Sequence, residues 1–431
     1  MKKFLLYLGI IGSLPIGGMC SLKQSRLLLG PACKSTKESL QKIYQPISLK
    51  EQCLMAITQN WHVVLKKSTL TADKVFELLE AHDLFEQFES YLVQAKEGNL
   101  PCPELIARDA DVAMYAKENY FFISDFACSK KLLEIYNFSL IFPRISHDGM
   151  FLIGGWQRGI FCADIRNNTH KVYSVSEKLE PGALHYGFLS NERMMFRSQD
   201  ALFVGAIADL YKNGLESFQR VYSRPDGRVY PWTTTASGLA VLSPSKVVVC
   251  VDINDGFEIM EEHDTQWVRT AVWAAAKEVI WAYQVAPARQ LICMIESNDY
   301  NTIQFYDARK TDLLCSASSI TISHLASRHG SFSGAFSPDE TMLICGKEFG
   351  EIDIIDCNNL EKPFIAATVR VDSLPITKVI WNDFGACVGD CNNMRYDIHL
   401  SPALPHIAAY KKKKREEAQK HTSTLSNNNN A

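Results

Sequence analysis

Catalytic signatures are missing from this chain. It has no HExxH zinc motif, no GxSxG nucleophile elbow and no glycine-rich strand-to-helix phosphate loop, which removes sequence support for metalloprotease, α/β-hydrolase and P-loop chemistry. GPACKST at 30–36 comes nearest to a phosphate loop, but Cys33 stands where glycine must precede Lys34. None of the 13 cysteines forms a CxxC pair. Cys387 and Cys391 in CVGDC lack both an adjacent histidine and a second pair to complete a zinc tetrahedron, so neither metal nor cofactor is expected. A strong charge of one sign is also absent: 45 basic against 48 acidic residues leave a formal net charge of -3. No global field then draws the chain to nucleic acid.

What is present is ordinary globular material, 47% hydrophobic and 22% charged, enough for a sizeable core. Cys250, Cys293 and Cys345 sit inside apolar β-like runs and read as core thiols. The amino terminus, MKKFLLYLGIIGSLPIGGMC, joins two lysines, a short apolar stretch and small residues, the three parts of a secretory signal over residues 1–20. Pro15, Gly17 and Gly18 interrupt it well short of the roughly 20 residues of a membrane helix. Export with no stable span after signal removal is expected. Lipid anchoring at Cys20 is the lesser reading, because Met19 and Gly17 depart from the bacterial lipobox pattern. Residues 21–45 read as a linker. At the other end, residues 403–431 hold Lys411 to Arg415 and then NNNNA, read as a disordered basic and polar tail.

Residues 46–103 have helix-like apolar spacing. SLKE at 48–51 is a capping box, in which the Ser48 hydroxyl and the Glu51 carboxylate satisfy exposed amides reciprocally. Leu49, Cys53, Ile57 and Trp61 then recur every fourth residue along one stripe. A second pattern opens at Thr71 and carries Val75, Leu79, Leu84, Phe88 and Leu92 through about residue 95, expected as a second helix.

From residue 104 to 402 the texture changes to short β-rich runs separated by turn residues at a repeating interval. GAFSPDETMLICGKEFGEIDIID aligns without a gap on PRISHDGMFLIGGWQRGIFCADI: Ser337 meets Ser146, Asp339 meets Asp148, and Gly346 meets Gly155. Turn positions at 146, 190, 237, 286, 337 and 382 are spaced by 44, 47, 49, 51 and 45 residues, the period of propeller blades. One more unit fits between Leu105 and Phe142. The expected fold is mainly β, a seven-bladed β-propeller with an N-terminal helical appendage.

Two resemblances follow from these residues. The turns at Ser146, Asp148 and Gly149, and at Ser337, Pro338 and Asp339, resemble those of WD-repeat proteins, with Ile355 and Tyr306 in place of the tryptophan before Asp356 and Asp307. This resemblance implies a propeller that presents loops to protein partners. SLKEQCLMAI resembles the elongin-binding box of SOCS-box proteins. That implies partner contacts by Leu49, Cys53 and Ile57, with LPCP (Leu100, Pro101, Pro103) in the order of the cullin-associated segment. The expectation is a non-catalytic scaffold or adaptor, extending to a substrate-recognition subunit of a ubiquitin ligase with an elongin-like partner. Elongin acts in eukaryotic cytoplasm, so an exported chain with this box implies an effector delivered into a host cell. The alternative is an exported propeller that binds a small ligand, or acts as hydrolase or lyase, at the ring mouth.

Overall fold

A computed structural model describes residues 49–428 except 69, 108, 118–119, 137–139, 157–158, 175–184, 198–200, 224–237, 253–255, 274–279, 297–298, 311–317, 327–332 and 383–384. The signal-like segment, the linker, Ser48 and the turn expected at 237 lie outside the described residues. The chain divides into one unit of residues 95–398 and another that joins residues up to 94 with those from 399 onward.

The first unit is a seven-bladed propeller. Seven four-stranded sheets follow one another as blades 1 to 7, over residues 105–136, 141–174, 185–223, 239–273, 280–321, 334–370 and 376–400, the last completed by residues 93–101. The innermost strands touch in succession, and that of blade 7 touches that of blade 1, so the ring closes. Radial stacking buries both faces of each sheet, which is why second strands are continuous apolar runs rather than alternating ones. In blade 5, Leu291, Cys293 and Ile295 face the core shared with blade 6, while Ile292 and Met294 face that shared with blade 4. In blade 4, Val247 and Val249 turn toward blade 3 and Val248 toward blade 5. The period-2 alternation of a strand sorts its side chains between two interfaces. Cys293 and Cys345 are buried in one of these cores.

Polar stitches cross every blade junction. The Asp109 amide donates to the His147 carbonyl, and the Asp148 amide to Asn191 Oδ1. Arg193 forks onto Glu262 at 2.7 and 3.2 Å. Gln290 Nε2 donates to the Leu242 carbonyl, and the Ala288 and Arg289 amides donate to the Glu340 carboxylate. Ser333 Oγ donates to the Ile376 carbonyl, and Lys378 pairs with Glu104.

One expectation is corrected here. Residues 93–101 do not continue the helical region: Val93–Pro101 is the outermost strand of blade 7, hydrogen-bonded beside Met394–Leu400. VQAKEGNLP has little local strand preference, but the last sheet would otherwise end in an unpaired edge after three strands, and pairing overrides propensity. In blade 4 the first described turn lies between Leu239–Ser243 and Lys246–Asp252.

The second unit is helical: α1 (Leu49–Gln59), α2 (Trp61–Ser68), α3 (Ala72–Ala81), α4 (Phe85–Glu89) and the carboxy-terminal Leu404–Asn428. Thr71 caps α3 by accepting from the Lys74 amide. The second pattern breaks after Ala81, where Asp83 takes a positive φ of 53°. Trp61 is fully buried, stacked on Phe76 at 5.1 Å and lying near Phe88 and His406.

The expected disordered tail is instead an ordered helix from residue 404. Leu404, Ile407, Ala408 and Tyr410 are buried, and the Tyr410 hydroxyl donates to Glu80. Lys411, Lys413 and Lys414 form ion pairs with Glu89, Asp73 and Glu80. Its cations read as solvated in isolation because their acidic partners lie more than 300 residues away in sequence.

Candidate functional site

The repeat-turn residues are structural. In blade 2, Ser146 Oγ donates to Asp148 Oδ1 at 2.7 Å and accepts from the amides of Met150 and Phe151. In blade 6, Ser337 Oγ donates to Asp339 Oδ1 at 2.5 Å and accepts from the Met342 amide. Asp339 also accepts from the Thr341 amide and hydroxyl. Pro338 and Asp339 are exposed at the turn.

The residues of the helical box do not form one surface. Ile57 has no exposed area, and the buried stripe of α1 and α2 runs through Leu54, Ile57, Trp61 and Val64. Cys53 is half-buried, and the Leu49 side chain lies outside the described residues. Leu100 and Pro101 belong to the ring-closing strand, with Pro103 buried just beyond it. A fourfold spacing defines a stripe but not which neighbouring residue turns inward, so Leu54 displaces Cys53 from the core.

Two features of the propeller were not legible as sites. The first is a cavity of about 350 Å³ against the innermost strands of blades 2 to 5. Arg144, His147 and Gln284 supply polar side chains, and Ile145, Phe188, Leu239, Val241 and Val285 an apolar wall. The hydroxyl of Tyr186, also in the lining, accepts from the Gly155 amide at 2.7 Å. Next to Tyr186 in the chain, His185 is buried and pairs across the sheet with the fully buried Arg197. Burial first, then the nearby charges of Arg197 and Arg144, push the His185 imidazole down to about 3, so it is neutral at physiological pH.

The second feature is the loop between the second and third strands of blade 6. Phe349 is 54% exposed at its tip, and its ring meets His324 edge-on at 4.8 Å. The loop is held from both flanks: the Glu348 amide donates to the His324 carbonyl, the Val371 and Asp372 amides to that of Gly350, and the Ile376 amide to that of Lys347. Gly350 has φ +74°, and a Cβ there would lie 2.3 Å from the Asp372 carbonyl oxygen. Beneath the loop, buried Lys347 pairs with Glu351 at 2.9 Å and with Asp353 at 3.6 Å. Burial raises the Asp353 carboxyl, opposed by the Thr368 hydrogen bond and the Lys347 charge. The sequence signal for this loop was only an aromatic beside a glycine in KEFGEI.

Among the described residues, no group of three His, Cys, Asp or Glu side chains is arranged to hold a metal ion, and no helix is long and apolar enough to cross a membrane. No family model and no curated protein matches the chain. Solved structures do resemble it. A chain in the crystal structure of the Mitotic Checkpoint Complex is 11% identical, over 70% of this chain and 91% of that one, with a TM-score of 0.52. The C-terminal WD40 domain of Sif2 is 12% identical over 72% and 82%, with a TM-score of 0.49. The β-propeller domain of Myceliophteria thermophila Cps50 (Swd1) is 10% identical over 72% and 99%, also at 0.49. At these identities the likeness concerns the fold.

Proposed function

We propose that the chain is a non-catalytic platform for protein interaction, with Phe349 as the anchor of its docking contact. The carrying observation is an exposed aromatic ring on a loop fixed by backbone hydrogen bonds from both sides. Aromatic anchors dominate interface energetics, and a loop already held in place loses little entropy on docking. The resemblance in fold to a chain of the Mitotic Checkpoint Complex agrees with a role in assembly.

The narrower reading, a ubiquitin-ligase subunit recruiting an elongin-like partner, rests on the sequence of the box at 48–57. With Ile57 buried, its anchors reduce to Leu49 and Cys53. Export, with delivery into a host cell, likewise rests on residues 1–20 alone.

The test is quantitative affinity capture with the full chain, comparing Phe349→Ala with Val172→Ala, which truncates another exposed apolar side chain. With folding confirmed by circular dichroism, Phe349→Ala is expected to reduce recovery of a specific partner roughly tenfold, the size of a hot-spot truncation. Val172→Ala is expected to leave it unchanged. Equal recovery by both variants refutes the anchor role.

A further inference from the structure

Cys102 and Cys387 stand at opposite ends of the propeller sequence and side by side in blade 7. Cys102 follows Pro101, the last residue of the strand that completes this blade from the amino-terminal side. Cys387 lies in Gly385–Asp390, the second strand of the same sheet. The Cys102 amide donates to the Asn393 carbonyl at 3.1 Å, in the turn that joins Gly385–Asp390 to Met394–Leu400. The Cys102 side chain lies against Gly389, where a Cβ would be 2.7 Å from Cys102 Cβ and 2.9 Å from its Sγ. Cys387 is two residues before Gly389 on that strand, so its side chain leaves by the same face. The two thiols share a hydrogen bond.

Both are free thiols, 1% and 0% exposed, in a small core with Ile380 against which Ile106 and Phe126 pack. The shared hydrogen bond, and then burial, push the Cys102 thiol up, opposed by the charges of Lys378 and Arg395. Thiol–disulfide exchange runs through the thiolate, so the closed site is inert. Cys102, however, sits one residue beyond the outermost strand of its sheet, and segments at such edges open at the low end of the range of local free energies. Opening there removes both the hydrogen bond and the burial. Cys293 and Cys345 also share a core, but each lies on a second strand paired on both sides, where exposure requires the blade itself to come apart.

We propose that Cys102 and Cys387 are an oxidisable pair whose disulfide fastens the amino-terminal strand covalently to blade 7 and so locks the ring. The oxidant is a small-molecule disulfide of the glutathione class. While the edge segment is open, the Cys102 thiolate attacks one sulfur of that disulfide and releases one small thiolate. The Cys387 thiolate then attacks the Cys102 sulfur of the mixed disulfide and releases the second. One sulfur–sulfur bond breaks and one forms; the two electrons and two protons lost by the chain leave on two molecules of the small thiol. The pair is independent of docking at Phe349, and either stands if the other fails.

The test equilibrates the folded full chain in buffers of rising glutathione disulfide over reduced glutathione. Free thiols are then alkylated in denaturant and the peptides mapped without reduction. A peptide linking Cys102 to Cys387 is expected to become the main form of both residues and to vanish with dithiothreitol, while the exposed Cys391 is recovered outside that link. In the oxidised chain, amide hydrogen exchange over residues 95–101 is expected to slow roughly tenfold, because the bond restricts opening of the segment it follows. Cys102→Ala, with folding confirmed by thermal melting, is expected to show the same exchange rate in both buffers. Both measurements on the parent chain stand without that variant. The proposal is overturned if Cys102 and Cys387 are recovered alkylated at every ratio, if either links chiefly to another cysteine, or if exchange over 95–101 is equal in the two states. It is also overturned if the slowing persists in folded Cys102→Ala.

Discussion

The first turns of blades 2 and 6 begin from the same arrangement and join the ring differently. Both use a serine hydroxyl to hold an aspartate two residues on and to accept amides from the following strand. The next residue separates them. In blade 2 it is Gly149, at φ +70°, where a Cβ would lie 2.8 Å from Val112 Cγ2 of blade 1. In blade 6 it is Glu340, at φ 57°, a left-handed conformation that disfavours a side chain. Its carboxylate accepts the Ala288 and Arg289 amides of blade 5, and Arg289 donates back to the Glu340 and Cys357 carbonyls. One turn accommodates its neighbour by omitting a side chain, the other by extending one across the junction. Backbone strain at Glu340 is offset by hydrogen bonds that glycine could not make.

The sharpest way to break the comparison is to put a branched side chain where blade 2 has none. Gly149→Val combines positive φ with a clash against Val112 and is expected to destabilise the propeller by about 4 kcal/mol, measured by chemical denaturation. Glu340→Ala keeps the strained backbone and strands two amides, with an expected loss of about 3 kcal/mol in the same assay. Glu340→Gly loses the same bonds but relieves the left-handed backbone, and should be less damaging than alanine by about 1 kcal/mol. If glycine is no better than alanine, the strain argument fails. Ser146→Ala and Ser337→Ala test what the turns share, and each is expected to cost about 1 to 1.5 kcal/mol.

The smallest effect is one of pH. Burial works against ionisation of Asp339, but hydrogen bonds from Ser337 and Thr341 hold the charged form and bring the carboxyl below its ordinary 3.8. The stability it contributes is therefore complete above that value and fades as pH falls through the lower folded one. The stability gap between the parent and Asp339→Asn should be constant near neutrality and close as pH drops below 3.8. A gap unchanged at pH 2 to 3, a range set by ordinary carboxyl titration, contradicts the assignment.

Sequence alone reached the repeated turns because their chemistry is local: Ser146 and Asp148 are two residues apart, as are Ser337 and Asp339. It reached the buried second strands for a similar reason, an apolar run that is itself the signal. It missed what depends on distant partners. The closing strand 93–101 is a strand only beside 394–400, and the helix at 404–428 is held by Asp73, Glu80 and Glu89. The role of Glu340 in holding the Ala288 and Arg289 amides depends on blade 5 lying beside it. The cavity draws on residues from 144 to 285, which only the ring brings together.

The account rests most directly on the propeller offering a specific contact at Phe349. Photo-cross-linking from p-benzoylphenylalanine placed at position 349, with position 172 as the exposed control, tests it in cells expressing the full chain. The account predicts a discrete protein adduct from 349 that is absent from 172. No adduct at 349, or the same adducts from both positions, contradicts it.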